Sequence, residues 1–151
     1  MRRPPSGEGR RTTGKPLFVM FQKLRDMFRS KPAPKPPSVP EGMRYYVIGD
    51  IHGRLDLYEA MIAAIEEDDR AAPPAETRIG LLGDLVCRGP DSAGVIARTR
   101  LWQQTRRVRV LAGNHEEMFL AALEKPEALR HFLKHGGRET VLSYGLSKKQ
   151  F

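Results

Sequence analysis

Tyr45-Tyr46-Val47-Ile48-Gly49-Asp50-Ile51-His52-Gly53 opens the stretch whose reading decides the fold. A short apolar run ending in glycine and a carboxylate reads as a buried strand with a sharp turn at its end. The construction returns twice. Arg78-Ile79-Gly80-Leu81-Leu82 runs into Gly83-Asp84, and Val108-Arg109-Val110-Leu111-Ala112 runs into Gly113-Asn114-His115-Glu116. Between the first two strands, Leu57/Tyr58, Met61/Ile62 and Ile65 recur at helical spacing, so residues 55–68 are predicted as an amphipathic helix that Ala71-Ala72-Pro73-Pro74 breaks. Pro90-Asp91-Ser92 opens a second helix, running to about Gln104, with Val95/Ile96, Thr99 and Trp102 on its inner face. Beyond the third strand, helices are expected at about 116–124 and 126–135, the latter with Pro126 in its first turn and Gly136 just past its end. A last helical stretch covers Glu139 to Tyr144, stopped by Gly145.

Strands alternating with helices imply an α/β fold with a parallel sheet and right-handed crossovers. In such sheets ligands sit outside the carboxyl ends of the strands. Here those ends deliver Asp50, His52, Asp84, Asn114 and His115, beside glycines that let the backbone approach a ligand. One Gly-Asp after a strand is a common turn, but three strand ends in register point to one shared site. The donors are carboxylate oxygen, imidazole nitrogen and amide oxygen with no thiolate cluster, a set that suits manganese, iron or zinc more than copper. A carboxylate such as Asp84 has two oxygens and can bridge two cations. Two cations so placed clamp a phosphoryl group and activate a water for in-line attack.

Gly49-Asp50-Ile51-His52-Gly53, Gly83-Asp84-Leu85-Val86-Cys87-Arg88-Gly89 and Gly113-Asn114-His115-Glu116 resemble the three consecutive signatures of calcineurin-like metallophosphoesterases. More narrowly they resemble the phosphoprotein-phosphatase branch with its bacterial and phage serine/threonine phosphatases. The resemblance spans about residues 43–145. It implies the amino-terminal half of an α/β/β/α sandwich with a dinuclear centre, two divalent ions, manganese foremost and iron or zinc as alternatives. Carried over position by position, Asp50 and His52 hold the first metal, Asp84 bridges, and Asn114 binds the second. His115 gives a proton to the leaving alkoxide, and Arg88 clamps phosphate oxygens together with Asn114 and His115. The guanidinium fork matches phosphate geometry, which gives Arg88 a physical rationale of its own.

Two departures qualify what the resemblance implies. Cys87 stands where the family has an aspartate that pairs with the histidine of the third signature. A thiol of pKa about 8.5 is mostly neutral at pH 7 and holds an imidazolium poorly. Cys87 is not a cysteine-phosphatase nucleophile either, since that loop needs an arginine six residues on, where this chain has Ala93. The family also draws two further histidine ligands from later in the domain, whereas the last histidine here is His135. His131 and His135 fall at i, i+4 on one predicted helix, but the Leu129/Phe132/Leu133 stripe explains that helix by packing. The expectation is a carboxyl-terminally truncated member with one weakly held metal, little turnover and one sheet face uncovered. The substrate expected first is phosphoserine or phosphothreonine in proteins. Symmetrical dinucleoside-polyphosphate hydrolysis is the alternative, and a catalytically inactive binding module the reading from another class.

Outward from this region the composition changes. Of the 151 residues, 26 are Lys or Arg and 18 Asp or Glu, but residues 1–44 hold 11 of the basic and 3 of the acidic ones. The net charge of +8 therefore belongs to a tail in front of a neutral domain, which removes overall basicity as an argument for nucleic-acid binding. Eight of the twelve prolines lie in the same segment. Residues 1–42 read as a tail and linker, with the domain over 43–151. Gly9-Arg10-Arg11-Thr12-Thr13-Gly14-Lys15-Pro16 imitates a phosphate-binding loop, but Pro16 has no hydroxyl for magnesium and no strand precedes Gly9. Residues 17–29 fit one short basic amphipathic helix, a docking segment or a weak peripheral membrane contact. Met20 offers a second start codon. No apolar run nears the roughly 20 residues that a spanning helix needs. The single cysteine excludes an internal disulfide, and the expected setting is cytoplasmic.

Overall fold

The computed structural model describes residues 36–147 and, apart from them, Gln22. The loop-like match at 9–16 and the helix expected over 17–29 lie outside the described residues, Gln22 excepted, as does most of the tail. The chain divides into two units, Met1–Ser38 and Val39–Phe151, and the second holds every strand of the sheet. Three strands, β1 (Met43–Ile48), β2 (Glu76–Leu81) and β3 (Val108–Val110), form one parallel sheet in the order β1-β2-β3. Met43 pairs with Glu76 and Ile48 with Leu81, while Ile79 pairs with Val108 and Leu81 with Val110. The helices are α1 (Leu55–Ala71), α2 (Ser92–Thr105), α3 (Asn114–Glu124), α4 (Pro126–Phe132) and α5 (Arg138–Ser143). This is the mixed α/β architecture expected of the amino-terminal half of a metallophosphoesterase.

Period-2 alternation sends Tyr46, Ile48, Ile79, Leu81, Val108 and Val110 to one face of the sheet. There they meet Tyr58, Ile62 and Ile65 of α1 and Val95 and Trp102 of α2 in one apolar core. Two polar links finish this layer: Tyr58 Oη lies 3.0 Å from Thr99 Oγ1, and Trp102 Nε1 donates to Glu66 at 2.6 Å. At the amino edge of the sheet Asp69 accepts from Thr77, Arg44 and Arg106, joining α1 to β1, β2 and the approach to β3. These donors hold its carboxyl down at about 2. The opposite sheet face carries Tyr45, Val47, Arg78 and Arg109, all exposed, and borders an open groove of about 840 Å³.

A second, smaller core joins Val86 and Cys87 to Phe132 and Val141, with Met118, Phe119, Leu129 and Leu133 against it. Here the structure departs from the expected helix over 126–135. Helix α4 stops at Phe132, and Leu133–Gly137 form a wide turn in which His135 and Gly136 (φ +92°) leave helical geometry. Glycine at that positive φ carries no Cβ penalty, so the chain turns there and resumes at once as α5. Among the described residues no helix is long and apolar enough to cross a membrane.

Candidate functional site

The three strand ends meet because their backbones are laced together. Ile51 and His52 donate their N–H groups to the carbonyl of Asp84 (3.1 and 2.9 Å), and Gly53 donates to Leu85 (2.8 Å). The third strand end is tied in by Glu116. One of its oxygens accepts from the backbone of Asp84 (2.7 Å) and Gly113 (2.9 Å), the other from Leu85 (2.8 Å) and Val86 (3.1 Å). Glu116 occupies the third position of α3 and reaches back to the N-cap N–H, half of a capping box whose N-cap, being glycine, has no side chain to reciprocate. Asp84 Oδ1 in turn accepts from His115 N at 3.1 Å. Gly83 and Gly113 permit this closeness, since a Cβ on either would collide with the other strand end.

Left-handed backbone marks the same residues. Among the described residues, the non-glycine positions at positive φ are His52 (+46°), Asp84 (+53°), Cys87 (+73°) and Arg88 (+65°). Each costs on the order of 1–3 kcal/mol and persists only where surrounding contacts impose it.

One nitrogen or oxygen from each of His52, Asp84 and His115 lies within 4.8 Å of the others. His52 is half-buried, and its Nδ1 is 3.0 Å from the carbonyl of Val86. A carbonyl only accepts, so Nδ1 carries the hydrogen and Nε2 presents its lone pair. That Nε2 is buried with no hydrogen-bond partner, while Asp50 Oδ2 stands 3.5 Å away on a side chain that is 70% exposed. His115 is 3% exposed, with Nε2 3.2 Å from Arg88 Nη2 and Nδ1 buried without a partner. A guanidinium only donates, so Nε2 accepts. Burial holds the His115 imidazole below the ordinary histidine range, with the Asp84 carboxylate working against it and the His52 ring and Arg88 adding to it. The buried, unpartnered lone pair of His52 Nε2 beside the Asp84 carboxylate, with Asp50 at hand, fits a divalent cation of the manganese, iron or zinc type, whereas His115, accepting at Nε2, carries its hydrogen on the unpartnered Nδ1.

The expected residues divide in consequence. His52, Asp84 and His115 converge, Asp50 approaches His52, and Arg88 reaches His115. Asn114 begins α3 with an exposed side chain. His131 and His135 have ring centroids 4.2 Å apart, tilted by 38°, but are both exposed, outside this cluster. Cys87 is fully buried in the second core, and burial pushes its thiol up to about 11. Glu116 is the organising residue that motif reading passed over. Its signal was the acidic residue at the third position of a helix following a strand-end glycine.

A profile of calcineurin-like phosphoesterases matches residues 43–147. The chain belongs to the calcineurin-like phosphoesterase family. Within it, this chain is 41% identical over 80 residues to a protein of Acidovorax sp. (strain JS42) named bis(5'-nucleosyl)-tetraphosphatase, symmetrical. That match covers 53% of this chain and 26% of the relative. Proteins of the same name from Yersinia pestis (strain Pestoides F) and Yersinia pseudotuberculosis serotype O:1b (strain IP 31758) are 40% identical over 79 residues, 52% of this chain and 25% of theirs. The matched stretch thus spans about a quarter of these curated relatives. No solved structure gives a significant match.

Proposed function

We propose that this phosphoesterase hydrolyses phosphoesters with the aid of divalent metal, and that its substrate class is the bis(5'-nucleosyl) tetraphosphates. The observation that supports hydrolysis is the convergence of His52, Asp84 and His115, with a buried lone pair left unpartnered on His52 Nε2. The substrate class rests on what the relatives are named for. Phosphoserine or phosphothreonine, the substrate the motifs lead one to expect first, gains no support from them.

His52 and Asp84 would hold a cation, with Asp50 beside them and Asn114 serving a second. Such an ion neutralises phosphoryl oxygens and polarises the bond to be broken. Arg88 supplies a planar fork for the remaining oxygens. Its guanidinium donates to His115 Nε2 at 3.2 Å. A phosphoryl group that draws Arg88 onto itself frees that nitrogen to take up a proton from solvent and pass it to the leaving bridging oxygen. Any positive charge on His115 is stabilised by the carboxylate of Asp84, because the buried Cys87 thiol stays neutral at pH 7.

The test has two arms. Manganese binding, followed by the loss of the free-ion electron paramagnetic resonance signal, weakens at least tenfold in Asp84→Asn and His52→Ala; unchanged binding overturns the metal reading. Water added across the central P–O–P bridge of the tetraphosphate yields two nucleoside diphosphates. Release of phosphate from a phosphoserine peptide faster than release of those diphosphates overturns the substrate class.

A further inference from the structure

The family signatures end at Glu116, yet the residues that hold Arg88 in place come from a segment well past them. Arg88 and its neighbour Cys87 are consecutive left-handed residues, and contacts from Leu133–Ser143 impose that geometry. The carbonyl of Gly136, in the wide turn, accepts from Arg88 N at 2.9 Å. Thr140 Oγ1, on α5 and fully buried, accepts from Cys87 N at 2.9 Å and lies 3.0 Å from Ser92 Oγ, which accepts from the same N–H at 3.1 Å. Gly136 also lies flat against the arginine stem, where an added Cβ would stand 3.0 Å from both Arg88 Cγ and Arg88 N. Nearly one turn of α5 further on, Ser143 Oγ accepts from Ala93 N at 3.1 Å and donates to Thr140 O at 2.6 Å, fastening α5 to the start of α2.

We propose that Gly136 and Thr140 are positioning residues for Arg88: the wide turn and α5 form a bracket that sets the two left-handed residues and so aims the guanidinium at incoming phosphate. This rests on the reading of Arg88 as the phosphate clamp. The geometry argues for aim rather than for general stability because the bracket grips the backbone N–H groups of residues 87 and 88 themselves. A change of φ at residue 88 swings the whole arginine side chain, whose tip now reaches His115 Nε2.

The experiment measures affinity of the full chain for inorganic phosphate by ³¹P resonance, with magnesium present, alongside manganese affinity. Arg88→Ala weakens phosphate binding about tenfold, the loss of one charge-assisted contact. Thr140→Val, which keeps the shape and removes the hydroxyl, weakens it by a similar factor, Thr140→Ser restores it, and manganese affinity stays within twofold. In the Arg88→Ala background Thr140→Val has no further effect on phosphate, because it acts through the missing side chain. Gly136→Ala gives the same pattern and decides the matter should Thr140→Val fail to fold. Phosphate affinity unchanged in Thr140→Val and Gly136→Ala, or lowered additively with Arg88→Ala, overturns the bracket while leaving the clamp intact. Phosphate affinity unchanged in Arg88→Ala itself overturns the clamp, and the bracket with it.

Discussion

Exchanging Glu116 for glutamine alters one terminal group and leaves shape and volume nearly unchanged, so it isolates acceptor capacity. Each carboxylate oxygen accepts two backbone N–H groups, Asp84 and Gly113 at one and Leu85 and Val86 at the other. A glutamine amide has one acceptor oxygen and one NH₂ that only donates. Whichever way it turns, two N–H groups face donors. A part-buried donor left unsatisfied costs about 1–3 kcal/mol, so the pair costs roughly 2–4 kcal/mol once some water access is allowed. That is a large share of the 5–15 kcal/mol by which a domain of about this size is stable. At about 4 °C per kcal/mol, the thermal midpoint falls by roughly 8–16 °C. Glu116→Ala abolishes all four contacts and falls further. Circular-dichroism melting of the full chain reads the midpoint, and manganese titration of the folded variant reads the site. A Glu116→Gln midpoint within about 1–2 °C of wild type would refute the reasoning, by showing that water replaces the carboxylate at no cost.

The buried, neutral Cys87 should resist a thiol-directed disulfide reagent at pH 8 until urea unfolds the chain, and prompt labelling of the native protein would contradict its burial. Cys87→Asp should lower the melting midpoint at pH 7, because the side chain packs among Val86, Phe132 and Val141 and a carboxylate there is desolvated; an unchanged midpoint would show that pocket to be wet. Asp69 is depressed to about 2 in the fold, so its contribution is complete above the ordinary carboxylate range and is lost as pH falls from about 4 toward 2. Asp69→Asn should accordingly lose stability at pH 7 and show a shallower acid transition, which urea titrations at several pH values would measure. Val47→Lys, on the exposed sheet face, should leave the midpoint within about 1 °C and reduce self-association at high concentration, readable by light scattering.

Legibility in the sequence followed periodicity. The apolar runs marked β1 and β2 as strands without saying which face enters the core, and Val95, Thr99 and Trp102 face it as their spacing implied. In α1 the stripe is narrower than its apolar content: Tyr58, Ile62 and Ile65 are buried, but Leu57 and Met61 are half in solvent, because a helix lying on a three-stranded sheet buries one line of residues, not two. Strand β3 stops two residues short of the apolar run, although Leu111 N still donates to the carbonyl of Leu81 at 2.9 Å. The meeting of three strand ends was legible, since each ended in glycine and a polar side chain. The left-handed conformations of His52, Asp84, Cys87 and Arg88 were not: nothing in those residue types asks for positive φ, and distant hydrogen bonds impose it. Thr140 was opaque for the same reason, since it grips a backbone N–H that no side-chain pattern reveals, whereas Glu116 left a signal in its place at the third position of a helix after a strand-end glycine.

The clustering of left-handed residues sets a bias on how this protein changes under selection. Glycine relieves positive-φ strain at any of the four positions, and asparagine relieves part of it. At three of them the relief removes an imidazole, a carboxylate or a guanidinium from the site. A library screened for heat resistance alone would therefore drift toward glycine and asparagine at positions 52, 84 and 88, gathering sturdier proteins with an emptied centre. Position 87 is the exception. Its side chain touches neither His52 nor His115 through any hydrogen bond among the described residues, so there the two pressures separate.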